Sequence, residues 1–414
     1  MTSGLTNWAG NVGYGAARVH RPSTVDALRS VVAGARRVRA LGTGHSFNRV
    51  ADTTGDLVST AGLPTIMDLD TGRGVVTVSA GVRYGELATH LHTAGYALRN
   101  LASLPHISVA GSCATATHGS GDGNANLATA VSALDLVTAD GSLVSVARGA
   151  DDFDGMVVGL GALGVVTAVT LDVVPTFDLR QHVYENLPWE RLSEHLDEVT
   201  AGAYSVSLFT GWTGDAIDQV WLKQHCDAPR PPPRWLGATP ADGPRHPVPG
   251  LSAVHCTEQL GVPGPWHERL PHFRLGNTAS SGDELQSEFF VPRRCALDAL
   301  LAVRGLAAVI APVLQVSEIR TIAADDLWLS PCHRRDSVAI HFTWIGDALA
   351  VAPVLAAVEA ALAPFDPRPH WAKLFDTAPT YERLPDFRRL AARLDPTGTF
   401  RNAFTDHHLG TVRQ

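Results

Sequence analysis

Ser108-Val109-Ala110-Gly111-Ser112-Cys113-Ala114-Thr115-Ala116-Thr117-His118-Gly119-Ser120-Gly121 consists almost wholly of small residues. Such a run adds little apolar bulk to a core. It lets backbone approach a flat ligand closely, and its hydroxyls can bond polar edges. Two further segments share this character. Upstream, Gly42-Thr43-Gly44-His45-Ser46-Phe47-Asn48 follows the strand-like run Arg37-Val38-Arg39-Ala40-Leu41. A dinucleotide-binding GxGxxG would need glycine at position 47, where Phe stands, so the doubly wound reading fails. What remains is a turn exposing backbone N–H groups, able to wrap a pyrophosphate, although many such loops are only turns. Downstream, Gly159-Leu160-Gly161-Ala162-Leu163-Gly164-Val165-Val166 is small and apolar and suits an adenine or ring edge. Three such segments together point to a large cofactor.

Around them, strand and helix signals alternate. Thr24-Val25-Asp26-Ala27-Leu28 opens a helix with Ser23 or Thr24 as N-cap. Val75-Val76-Thr77-Val78 reads as a strand, followed by Tyr84, Leu87, Ala88 and Leu91 at helical spacing and a stop at Gly95. Leu134–Val137 and Leu143–Val146 flank Asp140-Gly141, a hairpin signal. A strand from Val165 to Val174 ends at Pro175. Further on, Tyr204–Phe209, Gln219–Leu222, Leu285–Val291, Val313–Ile322 and Ser337–Ile345 suggest a second, mainly antiparallel sheet with helices. The Pro/Gly-rich stretch from Pro229 to about Gly250 reads as an extended surface excursion. Phe387, Leu390, Ala391 and Leu394 give a last helix, stopped by Asp395-Pro396. There is no internal repeat.

Composition narrows the function. With 414 residues the chain is long enough for two packed domains. A formal net charge of −8 without Lys/Arg–aromatic clusters argues against nucleic acid. The opening Met1-Thr2-Ser3-Gly4-Leu5-Thr6-Asn7-Trp8 lacks a leader's basic and apolar regions. No apolar run approaches the roughly 20 residues of a membrane helix. The five scattered cysteines lack CxxC spacing, and the 18 His show no compact ligand spacing, so neither disulfides nor a metal are expected. A cytoplasmic protein with reduced thiols is the expectation. Lysine occurs only at Lys223 and Lys373 among 33 basic residues, so a lysine here hints that arginine would not serve; Lys223 is the control for that argument.

From Asn7-Trp8-Ala9-Gly10-Asn11, through the Gly-His-Ser-Phe and small-residue segments, to Asp395-Pro396 and Phe400-Arg401-Asn402, the chain resembles flavoproteins of the vanillyl-alcohol-oxidase type with a PCMH-type FAD domain. Within them it is similar to the bacterial alditol (xylitol/sorbitol) oxidases. The resemblance covers nearly the whole chain. It implies an α+β fold, with an FAD-binding domain over 1–176, a substrate domain with a mainly antiparallel sheet covered by helices over 177–374, and a C-terminal segment, 375–414, returning to the first domain. It implies FAD bound covalently through His45, whose family counterpart carries the flavin's 8α-methyl. Relatives with a second, cysteinyl link have Cys near where Ser103 or Leu104 stands here, so a single attachment is expected. The implied flavin contacts are Ala40, Leu41, Gly42, Thr43, Gly44 and Ser46 around His45. Ser103, Ser108, Gly111, Thr115, Ala116, Thr117 and His118 follow, with Val166 and His370 beyond them.

For the substrate, strand alternation puts Glu318 and Arg320 on one face, and His341 and Thr343 on one face opposite Val338, Ile340, Phe342 and Trp344. An exposed sheet with a surface ion pair explains each pair taken alone. Side by side, the two strands would form one polar patch. The resemblance adds Lys373, in Pro369-His370-Trp371-Ala372-Lys373, and Ser103, in Ala102-Ser103-Leu104-Pro105-His106. Alcohol oxidation moves a hydride from carbon to the flavin and a proton from oxygen to a base. Neutral His341 suits the base, Arg320 and Lys373 the developing alkoxide, and Glu318 and Ser103 the orientation of neighbouring hydroxyls. The expected reaction is oxidation of a terminal primary alcohol of a small polyol by O2, giving H2O2, by a monomer. Two other readings stand beside it: an aldonolactone oxidoreductase, which shares the Gly-His-Ser and His-Trp-x-Lys segments, and a flavin- or sugar-binding protein without turnover.

Overall fold

A computed structural model describes residues 4–276 and 283–410, so Met1-Thr2-Ser3 of the opening stretch lie outside the described residues. Thr24 caps the helix Val25–Gly34, its hydroxyl accepting the Ala27 N–H at 3.1 Å. Leu28 and Val32 bury the inner face of that helix. The strand Val38–Leu41 then lies parallel to Asp56–Ser59, which is parallel to Arg18–His20 on its other side. Beside this small sheet is a five-stranded antiparallel one, in the order Met67–Asp70, Val75–Ser79, Val165–Asp172, Val131–Val137, Leu143–Ala147. The Asp140-Gly141 turn joins its last two strands, with Gly141 at φ 80°, where a side chain would be strained. The expected strand to Val174 is interrupted. Val165–Asp172 sits mid-sheet, and Val174–Pro175 pairs instead with Tyr96–Ala97.

Residues beyond Asp178 build a nine-stranded antiparallel sheet. Its centre runs Asp178–Pro188, Ala216–His225, Ser205–Thr210, Leu314–Ile322, Ser337–Ile345, Glu284–Pro292. One face is apolar: Ile319, Phe289, Ile340, Phe342 and Trp344 are buried there, and the helices Ala296–Arg304 and Ala348–Leu362 pack on its strands. The architecture is therefore α+β. After helix Leu384–Leu394 the chain returns to the first sheets. The Val38 N–H donates to the Thr399 carbonyl at 2.8 Å, and Phe400 packs with Val38 and Val58.

Two further sequence expectations need correction. Ala348–Phe365 is an 18-residue helical stretch long and apolar enough to cross a membrane, because its Ala, Val, Leu and Phe residues are interrupted only by two prolines and Glu359. Its Val351, Val354, Leu355, Val358 and Leu362 are buried, and Glu359 accepts from the backbone of Asp376 and Thr377. The Pro-rich stretch is also more than a surface excursion. Thr239–Pro240 pairs with Tyr184 and Glu185, and Arg245 forms a two-pronged ion pair with Glu185 at 2.7 and 2.9 Å. That anchorage brings His246, Pro247, Val248 and Leu251 to the wall of the central cavity.

Candidate active site

A continuous cavity runs between the first sheets and the polar face of the large sheet. Its first half is backbone. Ala40, Leu41, Gly42, Thr43, Gly44, His45 and Ser46 line it where the Val38–Leu41 strand ends, opposite Ser108, Gly111, Thr115 and Thr117. A side chain on Gly42 would place its Cβ 2.5 Å from the Ser108 hydroxyl, so glycine permits that approach. Buried Arg39 fixes the wall from behind, donating to the carbonyls of Leu160, Gly161 and Phe400 at 2.6 to 2.8 Å. The loop around His45 is clamped on both sides. Trp8 donates its backbone N–H to the Gly44 carbonyl at 2.8 Å and stacks on the His45 ring at 5.3 Å. The Asn48 amide donates to the carbonyls of Trp371 and Lys373 at 2.8 and 2.7 Å. Burial, with His106 adding, pushes His45 down to about 4, so its ring is neutral. Its buried Nδ1 has no hydrogen-bond partner. A long, glycine-lined wall with one neutral, nucleophilic imidazole fits a flavin dinucleotide.

The second half is charged. Register places Glu318 opposite His341, and His341 opposite Glu288, on three adjacent strands. Residues paired across strands share a face, so these side chains meet. Glu288, fully buried, is the hub: it takes Arg320 Nη2 and Lys373 Nζ at 2.6 Å each, and His118 Nε2 at 3.2 Å. Burial alone would raise its carboxyl; Lys373, Arg320 and His118 outweigh burial and hold it well below the usual range. Glu318 behaves alike, held down by Arg320, His272 and His341 against burial. Burial, helped by Arg320, lowers Lys373. His118 and His370 are pushed down chiefly by burial, and so is His341, well below its ordinary value. His341 Nε2 lies 3.1 Å from the Gln286 side-chain oxygen, an acceptor, which puts the ring proton on Nε2. Nδ1 is then a free lone pair, buried and unpartnered.

A family model described as "FAD binding domain" matches residues 16–147, and one described as "D-arabinono-1,4-lactone oxidase" matches residues 283–408. An alditol oxidase from Streptomyces sp. (strain IKD472) is 53% identical over 412 residues, 98% of each chain. The chain belongs to the alditol oxidase family of PCMH-type FAD flavoproteins. An L-gulono-1,4-lactone dehydrogenase from Mycobacterium tuberculosis is 32% identical over 98% of this chain and 99% of its own. An L-gulonolactone oxidase from Bos taurus is 28% identical over 97% of each. Among solved structures, the cholesterol oxidase of B. sterolicum superposes with a TM-score of 0.77 over 98% of this chain and 96% of its own; at 15% identity it shares the fold.

Of the residues the alditol oxidase resemblance implied, Ser103, His118, Val166, Glu318, Arg320, His341, Thr343, His370 and Lys373 all line the same cavity. Ala116 does not. Its backbone turns at φ 54° and its methyl is buried away from the cavity, in the core beneath the small-residue segment. His118, Glu288 and His370 place ligand atoms within 4.8 Å of one another, a compact group that sequence spacing did not show. Two cations already occupy the Glu288 oxygens, which opposes a metal there. Sequence reasoning also missed Glu288, Gln286 and His272, and it held Lys223 only as the control for the rare-lysine argument. Glu284, Gln286 and Glu288 alternate with Leu285, Ser287 and Phe289 in one strand, so alternation could have found them. His272 lies in a loop segment and carried no signal.

Proposed function

We propose that this protein is an FAD-dependent alditol oxidase, oxidising the terminal primary alcohol of polyols such as xylitol or sorbitol to the aldose while O2 becomes H2O2. The observation that carries this reading is the unpartnered Nδ1 of neutral His341 on the face shared with Arg320, Lys373 and two buried carboxylates. FAD, when bound, supplies the two-electron oxidant, held by the 40–46 and 108–117 walls and bonded through His45. His341 Nδ1 takes the hydroxyl proton. Arg320 and Lys373 hold the negative charge left on oxygen, and burial makes that attraction stronger than in water. Glu318, Ser103 and Thr343 bond the remaining hydroxyls. A site built for several hydroxyls discriminates against ligands that lack them, because its own polar groups would be stranded. The proposed division is residues 1–176 for the cofactor, 177–374 for the substrate and 375–414 returning to the first part, in a monomeric cytoplasmic protein.

The match of residues 283–408 to the lactone oxidase family model favours a second reading, oxidation of an aldonolactone. Peroxide release in air separates the two, comparing xylitol, sorbitol, glycerol and L-gulono-1,4-lactone at equal concentration. Turnover on xylitol or sorbitol with little on the lactone supports the alditol reading. Turnover on the lactone alone replaces it, and silence on all four leaves a flavin binder without this chemistry.

A further inference from the structure

Both lysines of this chain end on one buried line of charges. At the inner end, Lys373 Nζ meets Glu288 Oε2 at 2.6 Å, and Glu288 Oε1 meets Arg320 Nη2 at 2.6 Å. Arg320 Nε lies 3.6 Å from Glu318 Oε2, and Glu318 Oε1 lies 2.8 Å from His272 Nε2. His272 Nδ1 lies 3.0 Å from Lys223 Nζ, which also donates to the carbonyls of Leu270 and Pro271. Lys223 is 1% exposed, and these three acceptors are its hydrogen-bond partners, with the Trp221 ring centroid 6.0 Å away. Phe209 and Trp221 hold the His272 ring edge-on, with centroids 5.4 and 5.2 Å away. The backbone N–H of His272 donates to the Ser103 carbonyl at 3.0 Å, tying this segment to the loop that faces Arg320.

The chemistry of the pair fixes a proton. An ammonium has three donors and no acceptor. Facing Lys223, Nδ1 must therefore be the ring's lone-pair nitrogen, and the ring proton sits on Nε2, aimed at Glu318. A planar guanidinium could not place one compact charge among two carbonyls and a ring nitrogen, which accounts for lysine in a chain that otherwise uses arginine.

We propose that Lys223 and His272 are positioning residues for Glu318: the lysine selects the His272 tautomer that donates to Glu318 Oε1, leaving Oε2 turned to Arg320 and the substrate's hydroxyls. This rests on the polyol reading of the site. His272 lines the cavity beside Glu318, and Lys223 lies behind it, outside the cavity lining. The groups facing Lys223 are His272, Glu318, Arg320 and Cys256. Burial brings Lys223 down to about 7, with Glu318 opposing and Arg320 reinforcing. Above that pH the neutral amine no longer enforces an acceptor at Nδ1, and Glu318 Oε1 alone holds the Nε2 proton.

The test uses holoenzyme, with flavin content and melting temperature measured first. Lys223→Met is expected to raise KM for xylitol roughly tenfold while kcat stays within about threefold, since a hydrogen bond to bound substrate is weakened and the reacting groups are intact. Wild-type KM should rise between about pH 6 and about pH 8, and this inflection should vanish in Lys223→Met. Unchanged KM and an unchanged pH profile in the folded, flavin-loaded variant overturn the proposal. Should Lys223→Met fail to fold, His272→Leu, set in an aromatic pocket that accepts an apolar side chain, must raise KM likewise or the proposal falls. A readout independent of turnover is the NMR spectrum of 13C,15N-histidine-labelled holoenzyme, with His272 assigned by its loss in His272→Leu. An Nε2–H tautomer supports the relay, and an Nδ1–H tautomer overturns it. If wild type oxidises no polyol, the polyol reading fails while this spectrum still judges the relay.

Discussion

At the scale of single residues, the site works by keeping imidazoles neutral beside fixed charges. His341 is expected to act through Nδ1, so His341→Asn should slow flavin reduction by xylitol by about 10²- to 10⁴-fold in stopped-flow absorbance, the usual span for a lost general base. A rate within twofold of wild type would remove His341 from that role. Burial, the largest cause, depresses His341 well below its ordinary value. A depressed base remains unprotonated as pH falls through the ordinary histidine range, so kcat at saturating xylitol should stay flat from about pH 8 to about pH 6. The matching prediction for His45 concerns attachment. Acid precipitation should carry flavin down with wild-type protein and release it from His45→Ala; yellow supernatant from the wild type would refute a covalent link.

Elements matter here through how closely they approach. The segment carrying His118 presses against the segment leading into Ser103, and Gly119 is the point of contact. A Cβ there would lie 2.4 Å from the Leu101 carbonyl and 2.5 Å from the Asn100 side chain. Backbone cannot yield as a side-chain tip can, so Gly119→Ala should cost about 1–3 kcal/mol of stability and raise KM for the polyol. Thermal melting and steady-state kinetics check both halves, and an unchanged melting temperature would show that the segments can part freely. The large sheet sets the substrate face by register alone. Because Glu318 pairs with His341 and His341 with Glu288, a slip of one residue in the Ser337–Ile345 strand would send His341 and Thr343 into the apolar face and Phe342 into the cavity.

For the molecule as a whole, the burial of so many ionisable groups sets how it meets acid. Glu288 and Glu318 are held below the ordinary carboxyl range. A depressed folded pKa contributes stability that is complete above the unfolded value and is lost as pH falls toward the folded one. The histidines at 45 and 272, both lowered to about 4 chiefly by burial, act in the same direction. Below about pH 6.5 the unfolded chain takes up protons that the folded chain refuses. The melting temperature should therefore fall steadily from about pH 6.5 to about pH 4, measured by calorimetry; a maximum on the acid side would contradict the buried charge pattern.

Much of this was legible along the chain. The three small-residue segments, the failed GxGxxG at Phe47, and the alternation in Glu318-Ile319-Arg320 and His341-Phe342-Thr343 are local patterns, and local patterns determine which face a side chain takes and where backbone can approach a ligand. The scarcity of lysine singled out Lys223 and Lys373 before any contact was known. Only the tertiary structure decided which carboxylate sits at the centre. Glu288 belongs to a strand 30 residues before Glu318, and it becomes the hub because the Ser337–Ile345 strand lies between the two and carries His341 opposite both. His272 and the end of the Pro-rich stretch reach the cavity through loops, whose paths follow from pairing with distant edges rather than from periodicity. Ala116 turns away for the converse reason: a positive-φ turn, invisible in composition, reverses its side chain into the core. Proximity across long loops depends on how whole sheets stack, and no window of sequence holds that information.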